Sequence, residues 1–323
     1  MYAFRTSKVM FTAVRMGVFD RMPAGVKKLA EELNANSDAL ERVLDTCVAL
    51  GLLEKRAGAG YANTALADAY LRRSTPGTLA GYVLFSDQAL YPMWGNLEDA
   101  VREGSNRWTQ TFQMEGNMFE HFFRDADSMR GFLLGLHGYG VISSPRVVGA
   151  FDLSRFKKLV DLGGGSGHLA IAACERYPNL RAAVLELPRV IEFAREMAQR
   201  STASNRIELI AGDFFSGELP DADLYAVGQI LHDWSLDKIK KLLAKVFERL
   251  PSGGGLLIAE KLLDEDKAGP VNGLLQTLNM LICTEGKERT LSEYERLLED
   301  AGFGEARGAI TGARVDAILA IKN

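Results

Sequence analysis

The sequence has few of the residues that define several common classes of protein. Its 323 residues include only three cysteines, Cys47, Cys174 and Cys283, which are far apart and odd in number. They fit neither a disulfide framework nor a zinc knuckle, and they favour a reducing compartment. No apolar run approaches the roughly 20 residues of a membrane-spanning helix, and the N-terminus lacks the apolar core of a signal peptide. We therefore predict a cytoplasmic protein without a membrane partner.

The sequence also lacks an excess of positive charge. Its 38 lysine and arginine residues stand against 42 aspartate and glutamate residues, which gives a formal net charge of −4 at pH 7. This balance offers no attraction to phosphate groups, so we predict no nucleic-acid partner. The composition is otherwise that of an ordinary globular protein, and the length is sufficient for two domains.

A glycine-rich turn at residues 163–167 is the most informative stretch of the chain. It follows a short apolar strand that ends at Asp161, and it precedes a helical pattern over residues 168–177. Glycines such as Gly163 and Gly165 let the backbone turn sharply and approach a ligand closely. The glycine spacing of dinucleotide-binding proteins and the lysine of a P-loop are both missing. The pattern resembles the first motif of S-adenosylmethionine-dependent methyltransferases, although a tight turn without a ligand would also explain the glycines.

The next two predicted strands end in residues that suit an adenosyl ligand. Glu186 closes the apolar run 181–187, where a carboxylate can accept hydrogen bonds from both ribose hydroxyls. Asp213 and Phe214 close the run after residue 207, where they can bind the adenine amino group and stack on its ring. Together with Asp161, Gly163 and Gly165, these residues form our predicted donor site.

Two patterns divide the chain. Helical patterns over residues 7–16, 26–33 and 38–50 and a glycine-tipped hairpin that ends at residue 61 predict a winged-helix module, whose third helix is acidic and therefore unsuited to DNA. From residue 157 onward, strands and helices alternate and a terminal hairpin follows, which predicts an α/β fold with a mostly parallel, Rossmann-like sheet and an antiparallel terminal strand. We predict a helical dimerisation and substrate-lid domain over 1–152 and a methyltransferase domain over 153–323.

The region 79–150 is rich in aromatic residues. We predict that Phe132 and Leu136, which are four residues apart, line the substrate pocket, and Phe123 is a weaker candidate.

One of the four histidines lies where a catalytic group is expected. His232 follows the apolar run ADLYAVGQIL and begins the triplet HDW, so it lies at the carboxyl edge of the predicted sheet. Asp233 is its neighbour, and either Glu260 or Glu288 could accept the second ring N–H and so raise its basicity. His137 stays open as another candidate for the base.

A histidine base makes chemical sense beside a methyl donor. A phenol has a pKa of about 10, so only about one molecule in a thousand is ionised at neutral pH. An imidazole that removes the proton as the oxygen attacks accelerates such a step by about 10²–10⁴-fold. No cluster of hard oxygen ligands stands out in the sequence, and we predict no metal.

The ordered motifs LVDLGGGSG, LELP, GDFF, ILHDW, IAEKLLDED and LNMLICTEGKERT resemble the plant-type (caffeic-acid-like) small-molecule O-methyltransferases, and within them the acetylserotonin branch. This resemblance implies a homodimer, an S-adenosylmethionine donor and His232 as the base. It also implies supporting roles for Asp233, Glu260 and Glu288, and substrate contacts from Asn279 and Met280.

Several residues depart from the pattern of that branch. Gln229, which we place in the donor site, stands where the branch has arginine, Cys283 replaces a glutamine, and Gly140 replaces a tryptophan. The sequence therefore predicts methyl transfer to a hydroxyl of a small aromatic molecule and leaves the acceptor open. The alternative is a catalytically inactive, donor-binding dimer with a scaffold role.

Overall fold

The computed structural model describes residues 2–56, 58, 60–113 and 125–323, so Phe123 lies outside the described residues. The described chain divides into two compact units. The first contains residues 2–92 and 125–139, and the second contains residues 93–113 and 140–323. The domain boundary expected at residue 152 stays a prediction.

The first unit begins with the predicted order of three helices and a two-stranded wing. In the third helix Leu40, Leu44 and Cys47 are buried at helical spacing, and the Asn36 side chain caps its first turn by accepting from Ala39 N. The wing is an antiparallel pair. The elements of the unit are helices Ala3–Met16, Val26–Glu32 and Ser37–Ala49, strands β1 (Leu53–Arg56) and β2 (Gly60–Asn63), helices Ala65–Tyr70 and Ala80–Phe85, and the π-helical turn Ser86–Leu90. Helices Tyr91–Trp94 and Ala126–Val148 begin in this unit.

Seven of the described strands in the second unit form one sheet. They are β3 (Lys158–Leu162), β4 (Arg181–Glu186), β5 (Ile207–Ala211), β6 (Leu224–Gly228), β7 (Gly255–Glu260), β10 (Ala306–Ala309) and β11 (Asp316–Ile321). Their order in the sheet is β10-β11-β7-β6-β3-β4-β5, and all neighbours pair in parallel except β11, which is antiparallel to β7 and to β10. A parallel pair, β8 (Leu262–Leu263) and β9 (Arg289–Thr290), lies apart from this sheet. The helices are Leu97–Glu103, Trp108–Phe112, His168–Arg176, Ile191–Gln199, Leu236–Arg249, Val271–Cys283 and Leu291–Asp300.

The central strands are apolar because helices cover both faces of the sheet. Successive residues of β6 alternate between two hydrophobic clusters: Tyr225 and Val227 belong to one, and Leu224 and Ala226 to the other. This alternation is the period of two expected for a strand buried on both sides. The chain runs outward from β3 to β5 and then returns to β6 on the other side of β3. The carboxyl ends of β3 and β6 therefore flank the switch point where ligands bind in such sheets.

The sequence patterns placed some boundaries imperfectly. The first helix begins at Ala3 rather than at residue 7, and Asp161 lies inside β3 rather than at its end. Strand β5 ends at Ala211, two residues before Asp213. Among the described helices, none is both long enough and apolar enough to cross a membrane.

A buried ion pair fixes the end of β7, and we expect its loss to destabilise the sheet. Asp316 Oδ2 lies 2.7 Å from Lys261 Nζ, and Asp316 Oδ1 accepts from Thr311 N at 3.0 Å. Asp316→Ala leaves Lys261 buried without its partner, so the free energy of unfolding should fall by about 3–5 kcal/mol in urea titrations. Asp300→Ala, which breaks the exposed pair with Lys240, should cost no more than about 1 kcal/mol. Equal effects of the two variants would show that the buried pair stabilises the sheet no more than a surface pair does.

Candidate active site

The glycine loop lies between β3 and the helix His168–Arg176. Gly163 and Gly165 have φ angles of 65° and 57°, in the left-handed region that favours glycine. A Cβ on Gly163 would lie 2.7 Å from Ile230 Cδ1 and 3.0 Å from Phe214 Cε1, whereas no heavy atom lies within 4 Å of a Cβ on Gly165. The loop is therefore packed at Gly163 and open at Gly165.

Glu186 reaches the open part of this loop from the end of β4. Its Oε2 accepts from Gly165 N at 2.9 Å, and its Oε1 accepts from Leu187 N at 2.7 Å. Burial raises the pKa of Glu186, although both N–H donors oppose the rise. A carboxylate offers about four lone-pair sites, so two remain for the hydroxyls of a ligand.

Asp161 lies beneath the loop rather than on its open side. A Cβ on Gly164 would be only 2.6 Å from Asp161 Oδ2, and the Asp161 side chain is buried. Burial raises the pKa of this carboxyl to about 7, a backbone N–H opposes the rise, and the charge of Glu186 adds to it. Contact with the glycine backbone suits a supporting role, and its part in donor binding stays a prediction.

The two residues predicted for adenine differ in their surroundings. Asp213 Oδ1 accepts from Phe215 N and Oδ2 accepts from Ser216 Oγ, both at 2.8 Å, so this carboxylate holds its own turn together. The Phe214 ring lies beside Gly163 and packs on Phe215 with ring centroids 4.6 Å apart. Of the pair, Phe214 is the one that borders the glycine loop.

The turn that carries His232 begins with an unusual backbone conformation. Gln229 has a φ of 54°, which is uncommon for a residue other than glycine, and its N–H donates to Ala259 O at 3.0 Å. The N–H groups of the next two residues both donate to Glu260 Oε1, at 2.9 and 2.8 Å. Glu260 therefore holds the turn in place from the end of β7.

The His232 imidazole is buried among three carboxylates. Its Nδ1 lies 2.6 Å from Glu288 Oε1 and 3.3 Å from Glu260 Oε2, and its Nε2 lies 3.7 Å from Asp233 Oδ1. An Nδ1–H that donates to Glu288 leaves Nε2 as the proton acceptor of the neutral ring. The predicted catalytic residues are thus brought together, and both glutamates contact the same ring nitrogen.

These carboxylates make the imidazole unusually basic. Burial by itself lowers the pKa of His232, but the charges of Glu260, Glu288 and Asp233 outweigh this effect and raise it to about 10. Burial raises the pKa of Asp233 to about 6 and that of Glu260 to about 7, against the opposing charge of His232. The charges of the three carboxylates therefore favour the protonated form of the imidazole.

The same cluster has the residue types of a metal site. The ligand atoms of His232, Glu260 and Glu288 all lie within 4.8 Å of one another. The 2.6 Å separation between Nδ1 and Glu288 Oε1 fits a direct hydrogen bond. The expectation of no metal stays a prediction.

Helix Val271–Cys283 carries the predicted substrate contacts. Asn279 Oδ1 accepts from Trp94 Nε1 at 3.1 Å and lies 3.9 Å from Cys283 Sγ, while Met280 is buried. Burial raises the pKa of the Cys283 thiol, and the charge of Asp233 adds to the rise, so this end of the helix lies near the His232 turn. No local pattern pointed to Trp94, because 185 residues separate it from Asn279.

Phe132 and Leu136 belong to the first unit. Phe132 is buried and packs edge to face on Phe85, with ring centroids 5.4 Å apart, and Leu136 is half-buried one turn later. Their role as pocket walls stays a prediction.

Gly140 belongs to the second unit. A Cβ at this position would lie 2.1 Å from the His168 ring, so a larger side chain could not fit there without displacing that ring.

Comparison with known proteins adds to this geometry. Family models of an O-methyltransferase dimerisation domain and an O-methyltransferase domain match residues 1–73 and 94–304. Acetylserotonin O-methyltransferase of Gallus gallus is 41% identical over 99% of this chain and 94% of its own. The crystal structure of human N-acetylserotonin methyltransferase in complex with SAM is 38% identical, with a TM-score of 0.94 over 100% of this chain and 95% of that one. PigF with SAH is 29% identical, with a TM-score of 0.89 over 100% and 97% of the two chains.

These matches confirm the family resemblance and the fold class that the motifs predicted. The matched O-methyltransferase model spans well over half of the chain, and the relatives align with it from end to end. The chain belongs to the O-methyltransferase family.

Proposed function

We propose that this protein transfers a methyl group from S-adenosylmethionine to the hydroxyl of a small aromatic acceptor, with His232 as the general base. The observation that carries the proposal is the 2.6 Å contact from Glu288 to His232 Nδ1. Because Glu288 accepts the Nδ1–H, Nε2 is the nitrogen that can accept a proton from the acceptor hydroxyl. The acetylserotonin relatives support a hydroxyindole as the first acceptor class to test.

The donor site fits an adenosyl group. Gly165 leaves open space, Glu186 retains acceptor capacity for the ribose hydroxyls, and the Phe214 ring borders the loop. The SAM and SAH of the related structures support this donor. When bound, S-adenosylmethionine supplies an electrophilic methyl group on a positively charged sulfur.

Glu288 and Glu260 prepare His232 for its role. Together they orient Nδ1–H and stabilise the imidazolium that forms when Nε2 takes the proton of the acceptor. The pKa of His232 should fall when a cation binds beside it, because like charge disfavours the imidazolium. A lower pKa increases the fraction of neutral His232 that can accept the proton of the acceptor hydroxyl.

The dimerisation domain matched at residues 1–73 supports a homodimer formed through the first unit. The three cysteines are free and buried, which supports a reducing compartment such as the cytoplasm.

Donor binding should depend on Glu186. Glu186→Ala removes the acceptor for the ribose hydroxyls and for Gly165 N, so the affinity for S-adenosylhomocysteine should fall about 10–100-fold by calorimetry. Glu192→Ala, at an exposed position on the following helix, should bind normally. Comparable affinity of the wild-type protein for NAD would refute the donor assignment.

Turnover should depend on His232. His232→Ala should retain donor affinity but lose about 10²–10⁴-fold in kcat with a phenolic or hydroxyindole acceptor. Its residual rate should rise with pH, because a pre-ionised phenolate needs no base. Near-normal turnover in this variant would show that another group is the base, and His137 is the next to test.

The scaffold alternative has its own test. It would be favoured if the wild-type protein binds the donor but methylates none of a broad panel of acceptors.

The basicity of His232 should depend on Glu288. Glu288→Gln removes a negative charge at Nδ1, so the imidazolium is less stabilised and the pKa of His232 falls. NMR titration of the donor-free protein should show a value near 10 in the wild type and a clearly lower one in the variant, and the acid limb of the pH–rate profile should move to lower pH. The exposed Glu299→Gln variant should change neither. An unchanged His232 titration in Glu288→Gln would contradict the proposed contact.

A further inference from the structure

The segment 285–289 lies directly against the turn that carries His232. Glu285 N donates to Asp233 O at 3.3 Å, Glu288 Oε1 contacts the His232 ring, and Arg289 Nη1 donates to Leu231 O at 3.3 Å. Three residues of the segment therefore contact the three consecutive residues of the turn. We call residues 285–289 the clamp segment.

Gly286 sets how closely the clamp segment approaches. A Cβ at this position would lie 2.1 Å from His232 O, 2.7 Å from His232 C and 2.9 Å from Asp233 C. These are backbone atoms, which cannot rotate aside as the tip of a side chain can. Any residue larger than glycine would therefore push the clamp segment away from the turn and would move Glu288 with it.

Arg289 anchors the other end of the clamp segment. Its guanidinium is buried and donates to Leu231 O and to Lys287 O, so it joins the turn to the backbone beside Glu288. Its backbone also begins β9, which pairs with β8 directly after the end of β7. Glu288 is thus held between a close backbone contact at Gly286 and a buried side-chain contact at Arg289.

We propose that the clamp segment sets the orientation and basicity of His232, with Gly286 and Arg289 as its positioning residues. The inference rests on the proposed role of His232 as the base. Neither residue contacts the imidazole through its own side chain, because Gly286 has none and Arg289 binds the carbonyl of Leu231. Both act through the location of Glu288, where a displacement of about 1 Å is enough to weaken catalysis strongly.

The first test is Gly286→Ala. We expect kcat to fall by about 10-fold or more, since Glu288 loses its contact with Nδ1, while the affinity for S-adenosylhomocysteine stays unchanged, because Glu186 and the glycine loop lie on other strands. In the donor-free variant, the NMR titration of His232 should move to lower pH, as in Glu288→Gln. Gly77→Ala, where a Cβ meets no heavy atom within 4 Å, is the matched control and should behave as the wild type.

Arg289→Lys is the second variant, because it keeps the buried charge but loses the guanidinium, whose Nη1 donates to Leu231 O and to Lys287 O. It should reproduce the lower kcat and the lower titration of His232, whereas Arg296→Lys, at an exposed position on the next helix, should not. Circular dichroism checks that each variant is folded. If Gly286→Ala does not fold, Arg289→Lys tests the role of the clamp segment by itself.

The outcomes separate the role of the clamp segment from the proposed function. A folded Gly286→Ala or Arg289→Lys variant with normal kcat and a normal His232 titration would overturn the role of the clamp segment. Loss of S-adenosylhomocysteine affinity in either variant would also overturn it, because the residue would then serve the donor site. Normal turnover in His232→Ala would instead overturn the proposed base.

Discussion

The hydrogen bond between His232 Nδ1 and Glu288 is the contact on which the candidate site depends. A buried imidazole beside three buried carboxylates is costly unless each charge has a partner at close range. The 2.6 Å contact with Glu288, and the 3.3 Å approach of Glu260 to the same nitrogen, give the imidazole two such partners. The three carboxylates come from three separate places: Asp233 from the turn after β6, Glu260 from the end of β7 and Glu288 from the segment before β9.

Glu260 shows how one side chain can join backbone structure to chemistry. One of its oxygens accepts two backbone N–H groups of the turn that follows Gln229, and the other approaches His232. The Asp316–Lys261 pair secures the strand end on which Glu260 lies, because Asp316 and Glu260 are partners in the β7–β11 register. The antiparallel terminal strand therefore contributes to the active site without entering it.

The sheet separates the proposed donor site from the proposed base. The glycine loop follows β3 and Glu186 ends β4, whereas His232 follows β6 and Glu260 ends β7. The two groups approach each other where Gly163 packs against Ile230, two residues before His232. We therefore expect substitutions in one group to leave the other unchanged. The arrangement also brings the proposed donor site and the proposed base to the same edge of the sheet.

Local sequence determined the alternation of strands and helices, the glycine loop, the acid at the end of β4 and the place of His232, because strand period, glycine conformation and strand ends are properties of short stretches. The motifs also named Glu260 and Glu288, but left open which of them would contact Nδ1. Only the tertiary structure decided that both do, since 56 residues separate His232 from Glu288. It alone showed the collision that a side chain at Gly286 would cause and the bond from Trp94 to Asn279. Such contacts depend on how distant segments pack, which no local pattern records.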